Sequence, residues 1–319
     1  MGKTTDPIAA VPFEREAELA ALAEAVAGAS AGAGELVVVE APAGMGKSRL
    51  LDETAVRAGS AGVDVLAARA MELERSFPFG VALQLFGPAL ARLDEGERAA
   101  VFAGAARLAA PLFEAPQPPR PEPGDFSVMH GLYWLASNLA DRTPLALLID
   151  DAHWADEPSL RLCVYLAQRI DELPIALVVA ARPGEPGAPS ELLDALAGHR
   201  LARRLRPAPL TEDAVGAVVA ETTGAEPDRR FTAACAQVSG GNPYLLRALM
   251  TAAQAEGLRP TAADAPRVPD LAPEGVLRAL SARLARLPQG AASVARAVAV
   301  LGDDARLRHA ATLAGLGLE

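Results

Sequence analysis

Short, unbroken apolar runs alternate with longer amphipathic segments through the first two thirds of the chain. The first run, residues 36–39, is rich in β-branched residues and predicts a buried strand. Further strands are predicted at residues 62–67, 144–150 and 174–181, and residues 201–206 could form a fifth. Apolar residues spaced three and four apart predict helices over residues 14–27, 47–58, 76–93 (interrupted near 87–88), 95–110, 127–140, 158–170 and 190–197. This alternation indicates an α/β domain with a parallel sheet.

The pattern changes at residue 211, from which no further strand is predicted. Helices are expected over residues 211–223, 227–238, 243–256, 274–286 and 289–301, with a loop over 259–273 and a proline-rich surface loop over 115–124. An all-α part is therefore expected to follow the α/β domain. The chain stops at Leu318-Glu319 inside a helical pattern, so we expect it to be a fragment of a longer protein.

The first predicted strand leads into a turn of small residues, 41–46, and then into a helix that opens with Lys47 and Ser48. Glycines let backbone N–H groups form an anion-binding concavity, and a helix N-terminus adds partial positive charge. Lys47 would neutralise the β- and γ-phosphates of ATP, and the Ser48 hydroxyl would ligate Mg²⁺. Ala41 stands where the G-x-x-x-x-G-K-[ST] pattern has its first glycine, and a turn that binds nothing is the alternative. The expected nucleotide-binding residues of this loop are Ala43, Gly44, Met45, Gly46, Lys47, Ser48 and Arg49.

Acidic residues at the end of a neighbouring strand would complete such a site. Asp150 ends the third predicted strand, and strand ends of a parallel sheet share one edge, so we expect Asp150 to face the Mg²⁺ held by Ser48. Asp151 follows and is expected to orient or deprotonate the attacking water. Arg182 ends the fourth strand, where a guanidinium would sense the γ-phosphate. The alternatives are acids that only end a buried strand and an arginine in a loop salt bridge.

Four further residues are interpreted as having a role in the fold. His153 is interpreted as a hydrogen-bonding residue of the fold rather than a catalyst, and Trp154 as a packing residue. Asn242 and Pro243 suit the cap and the first position of a helix.

Composition narrows the class of protein. The net charge of −10 argues against broad non-specific binding of nucleic acid, and the basic cluster Arg203, Arg204 and Arg206 is interpreted as a solvated strand edge. Only Lys3 and Lys47 are lysines among the 30 Lys and Arg residues, which indicates that position 47 needs a compact ammonium. Two cysteines in apolar helical patterns, no signal peptide and no long apolar run predict a soluble, cytoplasmic protein without a membrane span.

Four segments together resemble a known family: VVVEAPAGMGKSRLL, LLIDDAHWADEPSL, VVAARP and SGGNPYLL. In this order they resemble the ATPase module of the large ATP-binding LuxR-type transcriptional regulators, in the STAND branch of AAA-like P-loop ATPases. The resemblance covers nearly the whole chain, and DDAHWAD is its most specific part. It implies a P-loop ATPase α/β domain over residues 1–208, a helical domain over 209–272 and the unfinished start of a winged-helix domain over 273–319.

The resemblance also implies roles for individual residues. Arg182 would be the sensor that reads the γ-phosphate, and Pro243 of a Gly-x-Pro motif would lie against adenine. Arg15 would help to hold the base, although Phe13-Glu14 stand where the family has Val-Gly. Transcriptional regulation would belong to a longer parent protein, with self-association or an inducer protein acting through its other regions. Direct DNA binding is not expected from these 319 residues.

These observations predict an ATP-binding switch that slowly hydrolyses ATP to ADP and phosphate with Mg²⁺. Lys47, Asp151 and Arg182 are the expected catalytic groups, and Lys47 and Arg182 would distinguish the ATP state from the ADP state. Three alternatives remain: a nucleotide-bound scaffold that does not hydrolyse, the ATPase module of another signalling protein, and a P-loop metabolite kinase.

Overall fold

The computed structural model describes residues 13–114, 126–271, 284, 287–302 and 305–316. The chain divides into two compact units, Met1–Pro209 and Leu210–Glu319. The proline-rich loop expected over 115–124 lies outside the described residues, as does the helix expected over 274–286 apart from residue 284. The domain boundaries expected at 208 and 272 stay a prediction.

A five-stranded sheet forms the centre of the first unit. Its strands are β1 (Glu35–Glu40), β2 (Asp64–Arg69), β3 (Leu145–Asp150), β4 (Ile175–Ala181) and β5 (Ala202–Leu205), in the spatial order β2-β3-β4-β1-β5. Every pairing is parallel, so all carboxyl ends of the strands lie at one edge. β3 and β4 are buried along their whole length, as unbroken apolar runs predict for a sheet covered on both faces. The predicted parallel α/β fold is confirmed.

Helices cover both faces of this sheet. The α-helices described in the first unit are α1 (Glu16–Ser30), α2 (Lys47–Ser60), α3 (Gly80–Leu90), α4 (Glu95–Val101), α5 (Ala110–Glu114), α6 (Phe126–Ala140), α7 (Glu157–Ala167) and α8 (Ser190–Ala197). Successive side chains of a strand point to opposite faces, so Val37 and Val39 join a core with α1 and α2. Leu36 and Val38 join the larger core, which includes α3, α6 and α7.

Two helix predictions in this unit are wrong in detail. The helix expected over 95–110 is broken: α4 ends at Val101, and Gly104, with a left-handed φ of 64°, begins a separate 3₁₀ helix, Gly104–Ala109. The interruption expected near 87–88 is absent, since Pro88 lies inside α3. There the ring removes a single helical N–H near the C-terminus, while Phe86 and Leu90 keep that turn in the core.

In the second unit, the described residues form helices joined by turns and irregular segments, without a strand. Its helices are α9 (Glu212–Thr223), α10 (Arg229–Ser239), α11 (Pro243–Ala255), α12 (Gln289–Leu301) and α13 (Leu307–Leu313). The loop expected over 259–273 contains a 3₁₀ helix, Ala265–Asp270, whose Val268 is fully buried. The start of a winged-helix domain stays a prediction. In the described part of the whole chain, no helix has both the length and the apolar character needed to cross a bilayer.

Candidate functional site

Three strands of the first unit end close together at the carboxyl edge of the sheet. The small-residue loop follows β1, Arg182 follows β4, and β3 ends in Asp150. β4 lies between β1 and β3, so the expectation that β3 neighbours the loop-bearing strand is wrong. The order of parallel strands depends on crossovers, which the order of strands along the chain does not fix. The contact nevertheless forms, because α2, which follows the loop, packs against both β4 and β3 and carries Ser48 to Asp150.

The loop between β1 and α2 has the backbone shape that its glycines allow. Gly44 and Gly46 have φ values of 82° and 90°, a left-handed conformation that strains any residue with a Cβ. Gly46 is the N-cap of α2 and has no side chain that could cover the helix terminus. Met45 is buried, while Ala43 and Arg49 are half-buried. This geometry suits a loop whose backbone N–H groups approach an anion.

Lys47 is buried in this loop, with only 6% of the residue exposed. Its Nζ donates to the carbonyl oxygens of Ala41 at 2.7 Å and Pro42 at 3.0 Å. Burial, reinforced by the positive charge of Arg182, lowers the pKa of Lys47 to about 8, although Asp151, Asp150 and Glu185 act in the opposite direction. The ammonium is therefore held inside the loop by neutral carbonyl groups, which a phosphate could replace.

Ser48 and Asp150 are joined directly. The Ser48 hydroxyl donates to Oδ2 of Asp150 at 2.6 Å, and Oδ1 of Asp150 accepts the backbone N–H of Asp151 at 2.9 Å. Hydroxyl and carboxylate oxygens are the hard ligands that Mg²⁺ prefers. No cluster of three His, Cys, Asp or Glu side chains suited to a metal occurs among the described residues. A sparse donor set of this kind fits Mg²⁺, which keeps waters and phosphate oxygens as its other ligands.

Asp151 lies between two arginines. It takes a left-handed backbone conformation with φ of 51° and is 4% exposed. Arg69 places Nε and Nη2 at 3.3 and 3.2 Å from Oδ2, while Nη2 of Arg182 lies 3.6 Å from Oδ1. Both oxygens of the carboxylate therefore face positive charge. Arg182 also approaches Glu185 at 4.0 Å.

Arg69 is a site residue that sequence reasoning misses. The sequence predicts that the second strand ends at residue 67, but β2 continues to Arg69, which lies opposite Asp150 in the parallel register. An arginine at the carboxyl end of a strand is the signal that could have identified it. The register that brings it to Asp151 depends on pairing between residues about 80 positions apart in the sequence, as the Arg69–Asp151 hydrogen bond shows.

His153 and Trp154 form the far wall of the same cluster. Nδ1 of His153 lies 3.3 Å from the backbone nitrogen of Arg182, and the ring centroids of His153 and Trp154 are 4.7 Å apart. The Arg182 guanidinium lies over the Trp154 ring at 4.9 Å. Burial, together with the charges of Arg182 and Lys47, lowers the pKa of His153 to about 3. The ring is therefore neutral at physiological pH.

Asp156, the last acid of the DDAHWAD segment, has a structural role. Its carboxylate accepts backbone N–H groups of Phe79 at 2.8 Å, Val81 at 3.2 Å and Ser159 at 2.9 Å. It thereby caps α7 and fixes the start of α3. Asp156 therefore holds the supporting helices together, and its oxygens are already committed to backbone donors.

The other predicted residues are described by their own contacts. Arg15 is buried at the start of α1 and donates to the carbonyl oxygens of Glu14 and Ala208, each at 2.7 Å. Pro243 occupies the first position of α11 in the second unit, after the cap residue Asn242. The basic cluster of β5 lies at the sheet edge, and its arginines pair with acids: Arg203 with Glu24 and Glu35, Arg204 and Arg206 with Glu40.

A parallel sheet with a glycine-lysine-serine loop after one strand and a paired aspartate at another strand end defines a P-loop ATPase fold of the AAA type. The AAA ATPase domain family matches residues 11–179, more than half of the sequence, and the chain belongs to that family. A search among curated protein sequences gives no significant match.

Two solved structures share the fold. The Aeropyrum pernix ORC2 protein, solved as ADPNP and ADP complexes, has a TM-score of 0.56 and 16% identity, over 91% of this chain and 76% of that one. The Aeropyrum pernix ORC1 protein, solved in complex with DNA, has a TM-score of 0.50 and 20% identity, over 99% of this chain and 81% of that one. At these identities the similarity demonstrates a common fold.

Proposed function

We propose that this chain is an ATP-binding switch module that slowly hydrolyses ATP to ADP and phosphate with Mg²⁺. The observation that carries the proposal is the 2.6 Å contact between the Ser48 hydroxyl and Asp150, beside the buried ammonium of Lys47. A hydroxyl from the phosphate loop and a carboxylate from another strand are the protein ligands that such a reaction needs. Membership of the AAA ATPase domain family supports the same reading.

Each part of the site has a chemical task in this proposal. Lys47 exchanges its two carbonyl partners for β- and γ-phosphate oxygens, since charge-assisted bonds are stronger than bonds to neutral carbonyls. Ser48 and Asp150 would hold Mg²⁺, which neutralises charge that develops on the phosphate oxygens. The loop of residues 43–49 would surround the phosphates with backbone N–H groups.

Asp151 and Arg182 would divide hydrolysis and sensing between them. Asp151 orients the attacking water, and Arg182 contacts the γ-phosphate. Their 3.6 Å approach supports a slow reaction, because Asp151 faces two arginines until Arg182 turns towards the nucleotide. The ATP and ADP states would then differ in whether the Arg182 side chain contacts a γ-phosphate. A nucleotide-controlled switch requires such a difference between its two states.

More specifically, we propose that this chain is the ATPase module of a LuxR-type transcriptional regulator of the STAND branch. This assignment rests on the sequence resemblance, with DDAHWAD as its most specific part. In this proposal, as the resemblance implies, Arg15 and Pro243 are adenine-binding residues, and the winged-helix segment corresponds to residues 273–319. Self-association and contact with an inducer would involve the parent protein. The net charge of −10 and the ion-paired arginines of β5 favour a module that does not itself bind DNA.

Calorimetry with ATP and Mg²⁺ tests the binding part of the proposal. Lys47→Ala is expected to abolish binding, because it removes the buried ammonium and leaves the phosphates without their counter-charge. Arg57→Ala is a matched control on the same helix, since its partner is the nearby Glu53 and its side chain is 41% exposed. Unchanged affinity in Lys47→Ala would refute the assignment of the site.

Product analysis tests the reaction. Free phosphate is expected from the wild-type protein, at a low rate. Tightly held ADP without turnover would favour a non-hydrolysing scaffold, and a phosphorylated metabolite would favour a kinase. The Ser48–Asp150 contact would be present in all three cases, so the product of the reaction decides between them.

A further inference from the structure

His153 is completely buried, yet one of its two ring nitrogens has no partner. Nδ1 lies 3.3 Å from the backbone nitrogen of Arg182, while Nε2 makes no hydrogen bond among the described residues. Buried polar atoms are almost always paired, because an unpaired one forfeits its bonds to water. The unpaired Nε2 therefore needs an explanation within the site.

The contact with Arg182 determines which nitrogen carries the proton. A backbone N–H can only donate, so Nδ1 must accept and has no proton of its own. The neutral imidazole then carries its proton on Nε2. The depressed pKa of His153, caused first by burial and then by Arg182 and Lys47, keeps the ring in this form. His153 thus presents one buried N–H donor that has no acceptor.

An acceptor lies just out of reach. Oδ1 of Asp151 is 3.8 Å from Nε2, which is about 0.8 Å longer than an ordinary N–H···O bond. The same oxygen lies 3.6 Å from Nη2 of Arg182, and the other oxygen is bonded to Arg69. The His153 ring is fixed by the Arg182 backbone and by Trp154, so a small rotation of Asp151 would close the gap.

Building on the function proposed above, we propose that His153 is a positioning residue for Asp151. When a γ-phosphate draws the Arg182 side chain away, Nε2–H of His153 donates to Oδ1 and fixes the carboxylate that orients water. The backbone N–H of Arg182 remains on Nδ1 in both states and preserves the required tautomer. Arg182 thus has two separate parts in this proposal. Its side chain moves away from Asp151, while its backbone N–H keeps His153 in the tautomer that can donate to Asp151.

Three substitutions separate this role from simple packing. His153→Gln places an amide N–H near the position of Nε2. His153→Asn places an amide oxygen near Nδ1, where it can accept the Arg182 N–H, but has no donor near Nε2. His153→Leu fills the volume without any polar group. We expect His153→Gln to keep kcat within about threefold of wild type, and the other two to lower kcat about tenfold to a hundredfold with KM for ATP unchanged. ADP affinity measured on each variant confirms that the site is folded. In an Asp151→Ala background, His153→Asn should have no further effect.

A spectroscopic measurement tests the same bond without turnover. In protein labelled with ¹⁵N-histidine, a non-hydrolysable ATP analogue with Mg²⁺ should move the Nε2–H proton of His153 downfield, and Asp151→Ala should abolish that shift. An unmoved resonance, or equal kcat values for the Gln and Asn variants, would overturn the proposal. If the wild-type protein binds the analogue but releases no phosphate from ATP, the hydrolysis part of the proposed function is wrong. The shift of the His153 resonance then decides the role of His153 by itself.

Discussion

The low pKa of Lys47 makes nucleotide binding sensitive to pH. Burial and Arg182 lower that pKa from 10.5 to about 8 in the free protein, and bound phosphates would raise it again by favouring the ammonium. The direction of the pH effect follows from the lower pKa of Lys47 in the free protein and its higher pKa in the complex. Affinity is fully present below the pKa of the free protein, and it is lost as the pH rises from that pKa towards the higher pKa of the complex.

The magnitude follows from the value of about 8. One pH unit above its pKa, about a tenth of a titrating group keeps its proton, so Kd for ATP should rise about tenfold between about pH 7 and pH 9. The phosphate groups contribute little to this change, because a phosphate monoester has its second pKa at about 6.

Calorimetric titration with ATP and Mg²⁺ across this pH range is the assay. Lys47→Arg is the matched control, because a guanidinium keeps its charge at every pH in the range. The variant should bind more weakly, since the loop encloses a compact ammonium, but its affinity should not vary with pH. A wild-type profile as flat as that of Lys47→Arg, or an affinity that increases with pH, would refute the reasoning.

Three further substitutions test separate parts of the site. Asp151→Asn should leave ATP bound and slow its turnover at least about a hundredfold, measured as phosphate release, and wild-type turnover would remove Asp151 from the mechanism. Arg182→Ala should raise Kd for ATP about tenfold or more with ADP affinity unchanged, since ADP has no γ-phosphate, whereas an equal loss for both would exclude a sensor. Asp156→Ala leaves three buried N–H groups unpaired and should lower the free energy of unfolding of the first unit by about 3–5 kcal/mol. The control Asp94→Ala removes an exposed helix cap and should cost about 1 kcal/mol. Equal losses for the two variants in urea unfolding would contradict this.

Features encoded in short contiguous segments could be predicted from the sequence. The strand β1, the turn and the opening of α2 follow one another without a gap, so glycine geometry and helix polarity suffice to recognise a phosphate loop. Asp150 could be anticipated because carboxyl ends of parallel strands share an edge, and Ser48 does contact it.

Features that depend on pairing between distant segments could not be predicted. The insertion of β4 between β1 and β3 is decided by crossover packing. The apolar runs of β3 and β4 indicate that both strands are buried, but not which strands they pair with. Arg69 reaches Asp151 only because β2 pairs in register with β3. The break after Val101 depends on the left-handed backbone of Gly104, although the apolar spacing continues through it. Strain and register are tertiary properties, whereas periodicity reports local structure.

The central claim is that Ser48 and Asp150 act together on the Mg²⁺ of a bound triphosphate. ATP affinity measured with and without Mg²⁺ for Ser48→Ala, Asp150→Ala and the double variant tests it most directly. We predict that Mg²⁺ strengthens ATP binding in the wild-type protein, that each single variant loses most of this enhancement, and that the double variant loses no more than either one. Enhancement by Mg²⁺ that survives in both single variants would contradict the account.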